Sequence, residues 1–141
     1  MRVTSSKLAA CALTIASATG LLAVSSHEAA AQAMTPMRGE VKSFADRFAI
    51  RVFPQNPYKH RIKVEVRVYD ETFAPIPTAA VAPAEMMLAP EDNRGVMVVV
   101  PFDGLRERRV RVCTESVPFA NTLSSRVRTQ VCGRFIAFRL S

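Results

Sequence analysis

Histidine and cysteine are scarce in this 141-residue chain, which contains two of the former and three of the latter. Of these, only His60, Cys113 and Cys132 lie after residue 33. A structural zinc site needs about four clustered His or Cys ligands, so the sequence gives no support for a metal site, and we expect no cofactor. The two cysteines do not form a CxxC motif, so a redox-active dithiol is not indicated either.

Catalytic motifs are missing as well. No serine lies in a G-x-S-x-G context, and His60 sits in a proline-containing turn without an acidic neighbour. The close acidic pairs, Asp70-Glu71 and Glu91-Asp92, fall at a strand end and in a turn. Adjacent residues of a strand point to opposite faces, so neither pair makes a good general acid/base couple. We therefore assign no catalytic residue and expect a protein that is not an enzyme.

The chain lacks a hydrophobic run long enough for an ordinary membrane span. Residues 8–24 are apolar but rich in Ala, Ser and Thr, and they fall short of the ~20 strongly apolar residues that a span needs. A basic segment precedes them, and a small-x-small sequence ending at Ala33 follows, which is the pattern of a cleaved signal peptide. Ala31 is the second-choice cleavage site, and a retained N-terminal anchor is the alternative. We expect residues 1–33 to be a signal peptide, residues 34–141 to be the mature domain, and the periplasm to be its location.

Acidic residues are outnumbered by basic ones. Without Arg2, Lys7 and Glu28 of the leader, the 19 basic and 12 acidic residues become 17 and 11, a net charge of +6. A basic balance favours an acidic partner, an anionic surface or nucleic acid, and export argues against nucleic acid. The other interpretation is that this charge only keeps the protein soluble.

Alternating hydrophobicity predicts a chain built from strands. Residues 61–70 are the clearest case, with Ile62 and every second residue to Val68 apolar and charged residues between them, as in a half-buried antiparallel strand. Residues 40–48 fit either a helical face or an irregular first strand, which we favour. Further strands are predicted at residues 48–53, 96–102, 106–116 and 126–140, with short extended pieces near 78–81 and 85–88. Six or seven short strands separated by turn residues are typical of a β-sandwich.

The last two predicted strands suit an antiparallel pair. An exported chain with two cysteines usually bonds them, because the compartment is oxidising. Placing Cys113 opposite Cys132 sorts the remaining pairs into a mostly apolar face (Val110/Phe135, Val112/Gly133, Thr114/Val131) and a polar face (Arg109/Ile136, Arg111/Arg134, Glu115/Gln130). Two independent criteria thus favour one register, which predicts a Cys113–Cys132 disulfide.

The cysteine face of this pair is rich in arginine: Arg109, Arg111, Arg128 and Arg134. Opposed like charges destabilise a sheet, so Arg111 and Arg134 are expected to have acidic neighbours or a bound anion. One interpretation is a solvated face whose long side chains splay apart. The other is an anion- or carboxylate-binding site made by these four arginines.

Beyond Arg134 the same face carries Ile136, Phe138 and Leu140. Either a neighbouring strand or the chain's own N-terminal segment covers them, or the last strand is an exposed edge. An exposed edge with alternating large apolar residues invites another protein to add a strand. On that interpretation Ile136, Phe138 and Leu140 are partner-binding residues.

Four stretches of this sequence together resemble a known family. They are "FAIRVFPQNPYKHRIKVEVRVYD" (48–70), "VAPAEMMLAPEDNRGVMVVVPF" (81–102), "RRVRVCTE" (108–115) and "VCGRFIAFRL" (131–140). The chain resembles the N-terminal, immunoglobulin-like domain of periplasmic pilus-assembly chaperones, as a single-domain relative. The resemblance implies an all-β, immunoglobulin-like antiparallel β-sandwich of about seven strands. Some family members also bond a cysteine of the sixth strand to one of the seventh, here Cys113 to Cys132.

The resemblance also implies a non-enzymatic role. Members of this family donate their last strand to an incomplete pilin subunit, and the matching positions here are Ile136, Phe138 and Leu140. They anchor the C-terminal carboxylate of the subunit with a basic residue of that strand, for which Arg134 is the nearest match. A second basic residue comes from near the mature N-terminus, where Arg38 and Lys42 are the candidates. The family has two domains with the carboxylate site between them, and only the first is matched here.

The expected function is that of an exported, chaperone-like binding protein. It captures another exported protein, such as a pilin-like subunit or an assembly component, by edge-strand pairing in pilus or surface-fibre assembly. The alternative is a structural envelope protein whose arginine-rich face binds an anionic surface or ligand. Neither function involves nucleic acid or stable membrane insertion after cleavage.

Overall fold

The structure is a computed structural model that describes residues 33–117 and 128–141. The predicted signal peptide, apart from Ala33, and most of the segment between the last two predicted strands lie outside the described residues. The described residues contain no helix long and apolar enough to cross a bilayer.

The described residues form nine strands in two packed sheets, which confirms the predicted β-sandwich. The strands are β1 (Ala33–Thr35), β2 (Arg38–Ser43), β3 (Arg47–Gln55), β4 (Ile62–Tyr69), β5 (Ala80–Ala82), β6 (Glu85–Leu88), β7 (Val96–Pro101), β8 (Glu107–Val117) and β9 (Thr129–Arg139). One sheet has the strand order β1-β3-β7-β5, and the other has the order β2-β9-β8-β4-β6. All pairings are antiparallel except that of β2 with β9.

Strand β4 shows how the sequence pattern builds the core. Its residues Ile62, Val64, Val66 and Val68 are at most 6% exposed, while the charged residues between them point outward. Burying each such side chain stabilises the fold by roughly 1.5–3 kcal/mol. Strands β3, β7 and β8 present their alternate apolar residues to the same interior, so the two sheets share one hydrophobic core.

The sequence of β7 is apolar on both faces, a pattern that favours a central or covered strand. The strand does lie between β3 and β5. Its inward residues Val96, Val98 and Val100 are fully buried, but Met97 on the outer face is 41% exposed. The apolar run therefore reflects a central position in the sheet rather than burial of both faces.

The N-terminal segment passes from one sheet to the other. Strand β1 pairs with β3, and β2 then pairs in parallel with β9, from Arg38 opposite Arg134 to Ser43 opposite Arg139. The strand interpretation of this segment is confirmed, although the strand ends at Ser43. The last strand is consequently not an exposed edge over residues 134–139, and the alternative, cover by the N-terminal segment, is correct there.

A buried asparagine organises the turn after β3. Asn56 is fully buried, and its Nδ2 donates hydrogen bonds to the carbonyl oxygens of His60 and Ala89, both at 2.8 Å. Its Oδ1 accepts a hydrogen bond from the backbone N–H of Tyr58 at 2.9 Å. One side chain therefore joins two loops at this end of the sandwich.

Candidate functional site

The pairing of β8 with β9 creates the framework of the site. All six residue pairs predicted from the sequence occur in the observed register, and Cys113 is bonded to Cys132. The predicted disulfide is thereby confirmed. Because side chains alternate across a strand, this register sends Arg111, Arg134 and the cysteines to the outer face of the five-stranded sheet.

Three arginines lie side by side on that outer face. Arg38 of β2 is opposite Arg134 of β9, which in turn is opposite Arg111 of β8; we call these three residues the arginine row. Neighbouring strands are about 4.8 Å apart, so the row places three cationic side chains within roughly 10 Å. They line a surface basin of about 670 Å³. The charged residues of the basin are Arg38, Arg109, Arg111, Arg134, Glu40 and Glu71, a net charge of +2.

No member of the arginine row has an ion-pair partner among the described residues, although Glu40 lines the same basin. Within residues 33–117 and 128–141, the side chains of Arg38 and Arg134 form no ion pair. Like charges directly opposite one another destabilise a sheet. The arrangement is therefore suited to an external anion, because a bound carboxylate would relieve this repulsion and accept hydrogen bonds from both guanidinium groups.

Arg109 lines the same basin but is already neutralised. Its Nε is 2.8 Å from Oε1 of Glu107, and its Nη1 is 3.5 Å from Oε1 of Glu71. The hydrogen bond to Glu107, followed by the charges of Glu107 and Glu71, raises the pKa of Arg109 above its usual value. The uncompensated positive charge of the basin thus belongs to the arginine row.

Arg128 is not part of this basin. It precedes Arg134 by six residues, a distance of roughly 20 Å along an extended strand. Its Nη1 pairs with Oε1 of Glu115 at 3.1 Å. Of the four arginines that the sequence singled out, the structure brings Arg109, Arg111 and Arg134 together and leaves Arg128 apart.

Arg111 is held in place by an aromatic ring. Its guanidinium carbon lies 4.5 Å from the ring centroid of Phe73, and its Nε donates a hydrogen bond to the carbonyl oxygen of Glu71 at 3.3 Å. Neither contact supplies a negative charge. Arg111 is therefore fixed over the sheet while its charge remains available.

The loop that contains Phe73 is stabilised by hydrogen bonds to the side chain of Asp70. One carboxylate oxygen of Asp70 accepts hydrogen bonds from the backbone N–H groups of Thr72 and Ala74, at 2.8 and 2.9 Å. Phe73, between them, is 50% exposed and has a φ of 65°, a conformation that is costly for a bulky residue. The hydrogen bonds of Asp70, including one from the Thr72 hydroxyl, lower its pKa. The aspartate thus stabilises a strained turn that keeps Phe73 against Arg111.

Strand β9 has an unpaired edge just before the arginine row. Strand β2 accompanies β9 only from Arg134 onward, where the Arg134 N–H donates to the carbonyl oxygen of Met37 at 2.8 Å. Among the described residues, no strand pairs with residues 129–132 on that side; we call this segment the open edge. The open edge ends where the arginine row begins.

The backbone hydrogen-bonding groups of the open edge point away from β8, to the side where no described strand pairs with it. The Cα atoms of Cys113 and Cys132 are 4.0 Å apart, the short spacing of a non-hydrogen-bonded antiparallel pair. In such a pair the backbone N–H and C=O groups point away from the partner strand. Cys132, and by the two-residue repeat Gln130, therefore direct these groups away from β8, into the space that an added strand would occupy.

Ile136, Phe138 and Leu140 form an apolar strip on the outer face, each half-buried. Ile136 lines the basin, and Phe138 lies between Lys42 of β2 and Glu107 of β8. Arg38 and Lys42 were the candidates for the second basic residue of a carboxylate site, and only Arg38 lies opposite Arg134. Lys42 lies beside the strip, with its Nζ 3.4 Å from Oε1 of Glu40.

Sequence reasoning missed the residues that hold Arg111. Glu71 and Phe73 follow β4 and reach Arg111 only because β4 pairs with β8, which places Tyr69 opposite Arg111. The turn-forming sequence Asp70-Glu71-Thr72 was a local signal of this loop, but its direction over the sheet depends on tertiary structure.

Comparison with solved structures identifies the fold of the chain. No protein-family model and no curated protein sequence matches the chain. Among solved structures, the complex of the Salmonella enterica SafA pilin with the SafB chaperone matches with a TM-score of 0.63 and 18% identity, over 77% of this chain and 54% of that chain. The E. coli chaperone DraB matches with a TM-score of 0.63 and 16% identity, over 77% of this chain and 55% of its own. The chain has the fold of these chaperone domains. The resemblance recognised in the sequence is thus confirmed for the fold.

The same fold also occurs in a different setting. The seventh PapD-like domain of human CEP192 matches with a TM-score of 0.58 and 10% identity, over 79% of this chain and 87% of that chain. The present chain spans about half the length of the bacterial chains that it matches. A fold of this kind serves more than one protein, so function has to be argued from the arginine row and the open edge.

Proposed function

We propose that the protein is an exported, non-enzymatic, chaperone-like binding protein that captures the C-terminal strand of another exported protein. The observation that carries the proposal is the continuity of the open edge with the arginine row. The open edge offers backbone hydrogen-bonding groups to a strand, and the arginine row offers cations to the carboxylate at the end of that strand.

The proposed contacts imply one direction for the captured strand. A strand that pairs with residues 129–132 and ends at Arg38 and Arg134 runs in the same direction as β9, so the pairing is parallel. Strand β2 occupies the position beyond this point, which stops the captured strand at the row. A chain terminus fits this arrangement, whereas an internal segment would collide with β2.

The apolar strip gives the partner a second contact. We propose that Ile136, Phe138 and Leu140 pack against the body of the captured protein, since they lie on the outer face next to the row. Buried apolar anchors beside a satisfied polar contact are typical of protein interfaces.

The structural comparisons support a role in fibre assembly in the periplasm. The structures that match include a chaperone bound to a pilin, a complex of a chaperone with the tip adhesion subunit of Csu pili from Acinetobacter baumannii, and the periplasmic chaperone SfaE. We accordingly propose a pilin-like subunit or an assembly component as the partner and the periplasm as the location.

Site-specific photo-crosslinking tests this proposal. A photoreactive residue replaces Gln130, which is exposed at the open edge, or Met97, which is exposed on the opposite sheet and serves as the matched control. In intact cells we expect crosslinks from position 130 to the last residues of an exported protein and none from position 97. Equal crosslinking at both positions, or crosslinks confined to internal segments of the partner, would contradict capture of a C-terminal strand.

The alternative is adsorption of the protein to an anionic envelope surface. The net charge of +2 in the basin is the observation in its favour. Adsorption weakens steeply with salt because the Debye length falls to about 3 Å at 1 M, whereas backbone pairing and apolar contact persist. A crosslinked yield at position 130 that disappears at high salt in isolated envelopes would favour adsorption.

A further inference from the structure

We infer that Arg111 makes this site selective for a partner chain whose last residue is acidic. The inference rests on the proposed function, since it concerns the strand captured at the open edge. The site would then hold two carboxylates, the terminal one at Arg38 and Arg134 and a side-chain carboxylate at Arg111.

The charge of the site calls for a second anion. A terminal carboxylate carries one negative charge and can bridge Arg38 and Arg134, but the basin has a net charge of +2. Arg111 keeps its charge because its contacts are the Phe73 ring and a carbonyl oxygen. One further carboxylate would bring the occupied basin to neutrality.

The spacing of the row suits the two carboxylates of one residue. Arg111 is one strand further into the sheet than Arg134, about 4.8 Å away. A strand seated at the open edge ends beside Arg134, and the side chain of its last residue can extend over β9 toward β8. Asp or Glu at that position would reach Arg111, and Gln would fill the same space without the charge.

Arg111 is also organised before a ligand arrives. An arginine has five N–H donors, and among the described residues only the Nε–H of Arg111 is engaged, by the carbonyl oxygen of Glu71. The Phe73 ring restricts the guanidinium, so less side-chain freedom is lost on binding. Phe73 is in this sense a positioning residue for Arg111.

Three peptides of about ten residues separate the possibilities. They share an alternating Thr/Val body with a fluorescent label at the N-terminus, and they end in Glu with a free carboxylate, Gln with a free carboxylate, or Glu with an amide. Affinities for the full chain are measured by fluorescence anisotropy. We expect the Glu acid to bind about fivefold more tightly than the Gln acid, the size of one exposed ion pair.

Substitution of Arg111 tests whether this residue causes the preference for the Glu acid over the Gln acid. Arg111→Gln should bring the Glu and Gln acids to equal affinity, with the larger loss falling on the Glu acid. Arg106→Gln makes the same change of charge outside the basin and should keep the preference. Phe73→Leu, with its thermal midpoint measured alongside, should reduce the preference by loosening Arg111.

The outcomes distinguish this inference from the proposed function. If the amide binds as well as the two acids, or no peptide binds, carboxylate capture fails and the inference fails with it. If both acids bind more tightly than the amide but equally to each other, only the selectivity for an acidic residue is overturned. A preference for Glu that survives Arg111→Gln would overturn the role of Arg111.

Discussion

Arg38 of β2 lies directly opposite Arg134 of β9, on the one parallel strand pair in the described part of the chain. Two like charges on adjacent strands are unfavourable in the free protein, and neither side chain has an acidic partner among the described residues. A binding site commonly keeps such an arrangement because the ligand supplies the missing charge. The pair therefore links the stability of the fold to the binding of an anion.

Replacing one arginine of this pair should have opposite effects on folding and binding. Arg134→Gln is expected to leave the free energy of unfolding unchanged or slightly higher, since it removes the repulsion with Arg38. The same change should weaken binding of a peptide with a free C-terminal carboxylate about tenfold, the loss of one charge-assisted hydrogen bond. Urea denaturation and anisotropy measure the two quantities. Lys42→Gln is the control, because Lys42 lies opposite Phe138 and not Arg134; an equal loss of affinity in that variant would contradict the assignment.

Proline at the open edge should block strand addition without unfolding the protein. The N–H of Gln130 points away from β8, so Gln130→Pro removes a donor to the partner and spares the β8–β9 hydrogen bonds. We expect a change of less than about 1 kcal/mol in the free energy of unfolding and a loss of roughly tenfold in peptide affinity. Gln130→Ala keeps the N–H and should bind normally. If the proline variant binds as well as the alanine variant, pairing along residues 129–132 is wrong.

The disulfide should matter for stability because it closes the segment between β8 and β9. Cys113 and Cys132 are separated by 19 positions, and a cross-link of that length stabilises a fold by about 3 kcal/mol in the chain-entropy account. The double change Cys113→Ala and Cys132→Ala is expected to lower the free energy of unfolding by this amount. Reductant should lower it in the wild type by a similar amount and have no effect on the double variant. A wild-type urea midpoint that does not respond to reductant would contradict this.

The sequence predicts those parts of the fold that depend on local hydrophobic alternation, and it does not predict pairings between distant strands. The register of β8 on β9 followed from the sequence, because the cysteine pair and the apolar alternation independently favour the same register. The position of β2 could not be obtained in this way. Residues 40–48 are amphipathic in either a helix or a strand, and the parallel pairing that sets Arg38 against Arg134 is a long-range contact.

The same distinction applies to the candidate site. Arg111 and Arg134 were identified together, since they share one strand pair. Phe73 and Glu71 were not connected with them, because their approach to Arg111 depends on the pairing of β4 with β8 and on a loop with φ of 65° at Phe73. Arg128 was grouped with the site by its face alone, and its position along the strand places it beside Glu115 instead.

The turn after β3 should depend on a single buried side chain. Asn56→Ala leaves the carbonyl oxygens of His60 and Ala89 and the N–H of Tyr58 without their partner inside a buried region. Each unsatisfied buried group costs about 1–3 kcal/mol, so we expect a loss of about 3 kcal/mol in the free energy of unfolding. Peptide affinity of the folded fraction should not change, since Asn56 does not line the basin. The substitution Asn93→Ala, in the exposed turn before β7, is the control and should have little effect.

Acid should loosen the loop that holds Phe73 against Arg111. The pKa of Asp70 is lowered from 3.8, first by the hydrogen bond from the Thr72 hydroxyl and then by that from the Ala74 N–H. A carboxyl group with a lowered folded-state pKa contributes stability above its unfolded pKa, and this contribution is lost as the pH falls through the folded value. We therefore expect the hydrogen-exchange protection of the Thr72 and Ala74 amides to be pH-independent above about pH 5 and to fall below pH 3.8, after correction for intrinsic exchange. Asp70→Asn should lack this acid step and show weaker protection at neutral pH.

Because the loop holds Phe73 against Arg111, the Asp70→Asn variant should also lose part of the preference for a peptide ending in Glu at neutral pH. It should keep the preference for a free carboxylate over an amide. Full selectivity in the Asn variant would mean that the loop does not position Arg111.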